Sequence, residues 1–404
     1  MTPGLADSIA GHLGALCAHP HRHPGGRGNR AANEYFEGAA RRCGLVVERL
    51  PFGCVHWEPG RARLEAGPVR FDLAPGPYSP PCDASAALVP ASTAEEIGRP
   101  EVRGSVLLLH GGVAARQLTP RGYPFYTTPE DEALLSRIEA ARPAAVVAAT
   151  GIDPPLTGAA YPFPLIEDGS FAIPSATMKD VDGRKLAASA GQTVRIVIDS
   201  KRQLASAVQL IGRKTGSAAG RFVLCAHIDG KVGTPGALDN AAGVACLLAA
   251  AELLRNVRLR HALEVVPFNG EDHYAAPGEV AYLAANPDGL SDVVLAVNLD
   301  AAGLRGGTTA VSQYGCPDRI AAAVTRGLSG RRRLAAGDPW PQSDHMVFAM
   351  RGVPAVALTS DRFAWLQAEI AHTSRDTPDL VDPALLAVAA EYIRDLVVEL
   401  DADA

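Results

Sequence analysis

Five short stretches of this chain carry residues that bind divalent cations. CAHID holds His227 and Asp229, GALDN holds Asp239, NGED holds Glu271 and Asp272, NLD ends in Asp300, and AHTSRD offers His372 and Asp376. Two imidazoles and three carboxylates form a nitrogen-and-oxygen donor set that suits zinc, with cobalt or manganese as substitutes. If Asp239 is shared, each of two ions has one histidine and two carboxylates. Two Zn2+ per chain could then lie roughly 3.5–4 Å apart with a water between them. Glu271 stands next to Asp272 but points in a different direction, which leaves it free to act as a general base. Asp229, two residues after His227, is placed to accept that imidazole's second N–H and so support catalysis indirectly.

Each motif alone has a plainer explanation. Asp239 could cap the helix that begins just beyond it, Asp229 could be an ordinary loop neighbour, and Glu271-Asp272 could be a surface turn. Their joint occurrence in one regular region points to a metallohydrolase. His273 extends the cluster, but as a lone signal it is expected to touch neither metal nor substrate. His345 fits a substrate-side donor and an internal structural histidine equally well. The N-terminal tract HPHRHPGG, with His19, His21 and His23 among prolines and glycines, is expected to be a flexible loop and not a metal site.

The elements that must position these residues are legible as an α/β pattern from about residue 203. FVLCAH, ALEVVPFN, DVVLAVNLD and AVALTS are near-continuous apolar runs of strand length. Helical stretches separate them: GVACLLAAAELLRN, GEVAYLAANP, CPDRIAAAVTRGL and the closing PALLAVAAEYIRDLVVEL. The expected fold is α/β, a mostly parallel or mixed central sheet flanked by helices, with an inserted smaller α+β domain. His227, Glu271-Asp272 and Asp300 then fall at or just beyond carboxyl ends of strands, where open α/β sheets bind ligands. NRAANEYFEGAARRCG reads as an early helix stopped by Gly44. Between about 80 and 200 the texture changes, with SVLLLH, AAVVAAT and TVRIVID as strands around the helix DEALLSRIEAARP. The expected division is 1–80 and 203–404 for the catalytic domain and 81–202 for the insert.

With 404 residues, 47% of them hydrophobic and 20% charged, the chain suits a globular protein with more than one domain. Its net charge of -6 argues against nucleic acid or anionic membrane as a partner. The N-terminus lacks a basic start followed by an apolar run, and no segment reads as a membrane span. Seven scattered cysteines without C-x-x-C suggest reduced, mostly buried thiols and a cytoplasmic setting. A homodimer fits a multidomain hydrolase, although no motif specifies one.

Taken together, HID at 227–229, GALDN at 236–240, GED at 270–272, NLD at 298–300 and HTSRDT at 372–377 resemble the co-catalytic zinc exopeptidase family. That family contains bacterial leucyl aminopeptidases, glutamate carboxypeptidase and transferrin receptors. SDHMVFAMRGVPAVAL from Ser343 and the early GRGNRAANEYF are similar to further family stretches. The insert more loosely resembles a protease-associated domain. The resemblance implies a zinc exopeptidase-like α/β/α sandwich, with His227, Asp239 and Asp300 on one zinc and Asp239, Asp272 and His372 on the other, Glu271 as general base, and Asp229 and Asp376 as residues behind the ligands. Asp272 departs from the glutamate most members have, which shortens its reach by one methylene. The implied activity is hydrolysis of the N-terminal peptide bond of a peptide or small amide substrate. The alternatives are a carboxypeptidase or N-acyl amide hydrolase using the same centre, or a non-catalytic receptor-like scaffold.

Overall fold

The computed structural model describes residues 4–19, 21–124, 128–150, 164–341 and 343–402. The chain folds as two compact units, one formed by residues 1–54 and 206–404 and the other by residues 55–205.

The first unit is built on an eight-stranded mixed sheet flanked by helices. Its strands are β1 (Val46–Glu58), β2 (Lys201–Lys214), β3 (Arg221–His227), β4 (Ala262–Phe268), β5 (Val293–Leu299), β6 (Thr309–Tyr314), β7 (Leu334–Ala336) and β8 (Ala355–Ser360), in the spatial order β1-β2-β4-β3-β5-β8-β6-β7. The centre of the sheet is parallel: β3 pairs with β4 on one side and β5 on the other, and β5 pairs with β8. Antiparallel pairing enters towards the edges, between β4 and β2 and between β8 and β6. Residues 222–227 of β3 are all buried, as a strand covered on both faces requires. Chain order runs from β3 to β4 on one side and from there to β5 on the other. The crevice beyond their carboxyl ends is therefore a topological switch point.

The helices are α1 (Leu5–Cys17), α2 (Arg27–Arg42), α3 (Ala242–Leu254), α4 (Pro277–Ala284), α5 (Asp318–Leu328), α6 (His345–Ala349), α7 (Phe363–Glu369) and α8 (Pro383–Ala402). Leu5, Ile9, Leu13 and Leu16 give α1 one buried face at helical spacing, and α2 buries Ala32, Phe36, Ala39 and Ala40. Gly44 ends α2 with φ +83°, the left-handed geometry its type permits. Residues 237–254 are apolar enough by length and composition to cross a membrane, which the sequence pattern had not suggested. Of that window 89% is buried inside the unit, so the segment is read as a core helix.

The second unit is a closed seven-stranded barrel. Its strands run in the order 62–66, 69–75, 175–179, 145–150, 106–109, 82–91 and 193–198, and helices Pro129–Ala141 and Asp180–Ala187 accompany it. Residues 151–163 of the expected insert lie outside the described residues. The first junction falls at Val55, not at residue 81. The hairpin of strands 62–66 and 69–75 pairs with 193–198, from Ala62 opposite Ile198 to Ala66 opposite Val194, so its partner lies inside the insert. The second junction, expected after 202, falls after Ala205.

Candidate metal centre

His227 is the last residue of β3 and is fully buried. The chain then turns through Gly230, Gly233 and Gly236 before α3. Gly236 has φ +58°, and a Cβ there would lie 2.7 Å from both the Asp239 carbonyl oxygen and Arg22 Nη2, so no other residue suits this turn. Helix capping falls to Asn240 instead of Asp239. The Asn240 Oδ1 accepts from the Gly243 N–H at 3.0 Å, while its Nδ2 donates to the Leu299 carbonyl at 2.7 Å. The Asp239 carboxylate is thereby left free to face the crevice.

Its two oxygens face two different imidazoles. Asp239 Oδ1 lies 3.1 Å from His227 Nε2, and Asp239 Oδ2 lies 3.2 Å from His372 Nε2. Asp300 Oδ1 is 3.6 Å from His227 Nε2, and Asp272 Oδ1 is 3.1 Å from His372 Nε2. His227, Asp239 and Asp300 form one group whose donor atoms all lie within 4.8 Å of one another, and Asp239, Asp272 and His372 form a second. Asp300 is pinned just past β5 by its N–H bond to the Leu358 carbonyl, 3.0 Å. All five residues expected as ligands therefore meet, from segments as far apart as β3 and the loop after α7.

Two acids stand behind this set. Asp376 accepts the backbone N–H groups of Leu238 at 2.7 Å and Asp239 at 3.0 Å, which fixes the turn presenting the shared carboxylate. Asp229 Oδ1 lies 3.7 Å from His227 Nδ1 and accepts the Gly270 N–H at 2.9 Å, while Oδ2 accepts the Asp272 N–H at 3.2 Å. It thus faces the rear of one imidazole and holds the turn that carries Glu271 and Asp272. Gly270 has φ +142° in that turn, and a Cβ would come 2.5 Å from Pro277 Cδ.

Electrostatics supports a cation at each group. Burial opposes charge on His227, but Asp229, Asp239 and Asp300 outweigh it and raise its pKa well above the ordinary value. Burial likewise opposes charge on His372, yet Asp272 and Asp239 push it up to about 10. Burial raises the Glu271 carboxyl well above the usual range; His227 opposes this and the charges of Asp272, Asp300 and Asp239 add to it. Glu271 is thus within electrostatic reach of both groups. Both His227 nitrogens and Asp272 Oδ2 are buried without a hydrogen-bond partner. Concentrated buried carboxylates around the unsatisfied His227 imidazole are costly in a bare protein and fit a site for divalent metal. His–Asp–Asp is a competent donor set for zinc at each group.

Packing accounts for His345, which the sequence left undecided, and gives His273 a neighbour. His345 is fully buried, with Nε2 3.0 Å from the Trp340 carbonyl and Nδ1 3.3 Å from Asn298 Nδ2. Burial drops its pKa to about 4, so it is a neutral internal residue between the Tyr314 and Trp340 rings. His273 stacks on His23, with ring centroids 5.3 Å apart. The tract around His21–His23 is therefore not a free loop. The buried Arg22 guanidinium donates to the carbonyls of Ile228 at 3.0 Å, Pro235 at 2.8 Å and Gly236 at 2.6 Å. It ties down both ends of the loop between His227 and Asp239. One arginine among prolines and histidines gave no sign of this, because its acceptors are carbonyls more than two hundred residues away. Arg22→Ala is expected to destabilise the protein by about 3 kcal/mol, since two buried carbonyls and one part-buried carbonyl lose a charged donor. Urea unfolding checks this, and a loss below about 1 kcal/mol would refute the clamp.

Residues 209–397 match Peptidase family M28. No curated protein matches the sequence. Among solved structures, the chain is similar to an aminopeptidase from Aneurinibacillus sp. strain AM-1, with TM-score 0.77 and 20% identity over 98% of this chain and 93% of that one. BSAP, a zinc aminopeptidase from Bacillus subtilis, superimposes with TM-score 0.72 and 19% identity over 99% of this chain and 96% of that one. A glutaminyl cyclase from Porphyromonas gingivalis is more distant, with TM-score 0.52 and 15% identity over 98% of each chain. At these identities the structural likeness is one of fold.

Proposed function

We propose that this chain, whose residues 209–397 match Peptidase family M28, is a zinc-dependent aminopeptidase holding two zinc ions about one shared carboxylate. The observation that carries this is the division of Asp239 between His227 and His372, one oxygen to each. His227, Asp239 and Asp300 would hold one ion, and Asp239, Asp272 and His372 the other. Bound there, zinc would supply Lewis acidity, polarising the scissile carbonyl and making water a better nucleophile.

The chain's own residues would carry the proton. Glu271 takes it from the attacking water and returns it to the departing amine. Asp229 keeps the Glu271 turn in register through the Gly270 and Asp272 N–H groups. Asp376 does the same for the Asp239 turn. Cleavage at the amino end is favoured by charge. The centre is rich in carboxylates, which suits a substrate's free ammonium group. Lys231, the lysine of this loop, donates to the Asp272 carbonyl at 2.8 Å and lies 3.6 Å from its carboxylate. It is thus already engaged, which disfavours it as a receptor for a substrate carboxylate. The aminopeptidases among the structural neighbours agree with this polarity.

A zinc-loaded screen of free-amine, N-blocked and C-amidated dipeptides tests the proposal. Hydrolysis of free-amine and C-amidated substrates, with N-blocked ones spared, is the expected result. Cleavage that tolerates an N-block but needs a free carboxyl end would make the protein a carboxypeptidase. Ammonia release from N-terminal glutamine without peptide cleavage would instead match the cyclase neighbour's chemistry.

A further inference from the structure

Two buried acids close to the centre take no part in the chemistry above. Glu279 lies in the first turn of α4 and Asp344 immediately precedes α6, and both are fully buried. None of their four carboxyl oxygens accepts a hydrogen bond from a protein N–H or O–H. Each carboxyl has the other within hydrogen-bonding range. The titratable groups that bear on them are Asp229 and His227 on Glu279, and His227 and Glu271 on Asp344, with the buried Cys225 thiol alongside both. All the carboxylates in that set are of like charge to the pair. Two ionised carboxylates in such a place would repel each other without a donor to offset their desolvation. One proton between them converts the repulsion into a charge-assisted O–H···O bond.

The pair also joins two arms of the centre. The start of α4 is packed on the catalytic turn: a Cβ on Gly278 would lie 2.5 Å from the Asn269 carbonyl, and one on Gly270 2.5 Å from Pro277 Cδ. On the other side, Ser343 accepts a 2.9 Å hydrogen bond from Asn298, two residues before Asp300. We propose that Glu279 and Asp344 hold one proton in common, and that this carboxyl–carboxylate bond is a positioning link between the turn bearing Glu271 and the strand end bearing Asp300. The link does not depend on which end of a peptide is cleaved.

The pH dependence has a definite sign. Burial, with the Asp229 charge, raises Glu279 to about 8, and burial with the Glu279 charge raises Asp344 well above its ordinary value. The pair titrates as a unit. In the unfolded chain both carboxyls are ionised above the ordinary range near 4. Both shifts are upward, so folding takes up at least one proton between that range and about pH 8. Within this window the folding equilibrium constant falls at least tenfold per pH unit from this pair.

Urea unfolding of the zinc-saturated protein and of Glu279→Gln, followed from about pH 5 to about pH 9, measures that slope. The glutamine amide donates to Asp344 without a proton to lose, so the variant's curve is expected to be shallower by about tenfold per pH unit. Parallel curves would overturn the shared proton. Should the variant not fold, the infrared spectrum of the unmodified protein decides. A protonated carboxyl stretch must be present at neutral pH and vanish at alkaline pH, and its absence refutes the pair. Positioning has its own readout: Glu279→Ala lowers kcat at unchanged KM and zinc content, and glutamine recovers most of the loss. An alanine variant with undiminished kcat would refute the link.

Discussion

Glu271→Gln is expected to lower kcat by about 10²–10⁴-fold, the usual contribution of a positioned general base, while zinc content stays that of the unmodified protein. The substitution is isosteric and removes only the ability to accept a proton. Glu271 belongs to neither ligand group. Its neighbour Asp272 keeps its place through a backbone N–H bond to Asp229, which the change leaves intact. Loss of metal and loss of base are therefore separable at this position. Single-turnover kinetics with a free-amine dipeptide, paired with elemental analysis of the same sample, gives both quantities. Near-normal turnover would remove Glu271 from the mechanism. Loss of zinc together with activity would mean that the side chain supports the ligand groups instead of acting on water.

The candidate base and ligands could be picked out in the sequence because parallel strands place such residues by rule. An apolar run that ends in His227 or Asp300, or that is followed by a glycine and an acid pair as at Gly270–Asp272, places polar side chains at the carboxyl edge of the sheet. The helix after Asp239 was visible for the same reason, although its cap proved to be Asn240. What escaped depends on partners remote in the chain. Arg22 acts through the carbonyls of Ile228, Pro235 and Gly236, and no residue type advertises a carbonyl acceptor. Glu279 lies in a segment that reads as an ordinary helix and Asp344 in a stretch noted only for its family resemblance, and only burial makes them unusual. The barrel of the second unit was hidden because its hairpin at 62–75 closes onto 193–198, a ladder that local alternation cannot specify.

The metal count has its sharpest test at Asp239. Asp239→Ala takes one donor from each group at once, leaving His227 with Asp300 and Asp272 with His372. Two protein ligands are too few to hold zinc firmly where three-ligand sites already leave a position open. Zinc is therefore expected to fall from the proposed two per chain to below one after dialysis, with activity below about 1%. His372→Ala touches only the group it shares with Asp239 and Asp272, so that variant should retain one zinc on His227, Asp239 and Asp300. The contrast between the two variants carries the inference, since any single ligand change could lower metal content. If both variants lose the same one equivalent, Asp239 serves a single ion, and the opposed directions of its two oxygens have another cause. If His372→Ala also empties the site, the groups bind cooperatively, and titrating zinc back into each variant would give the coupling between them.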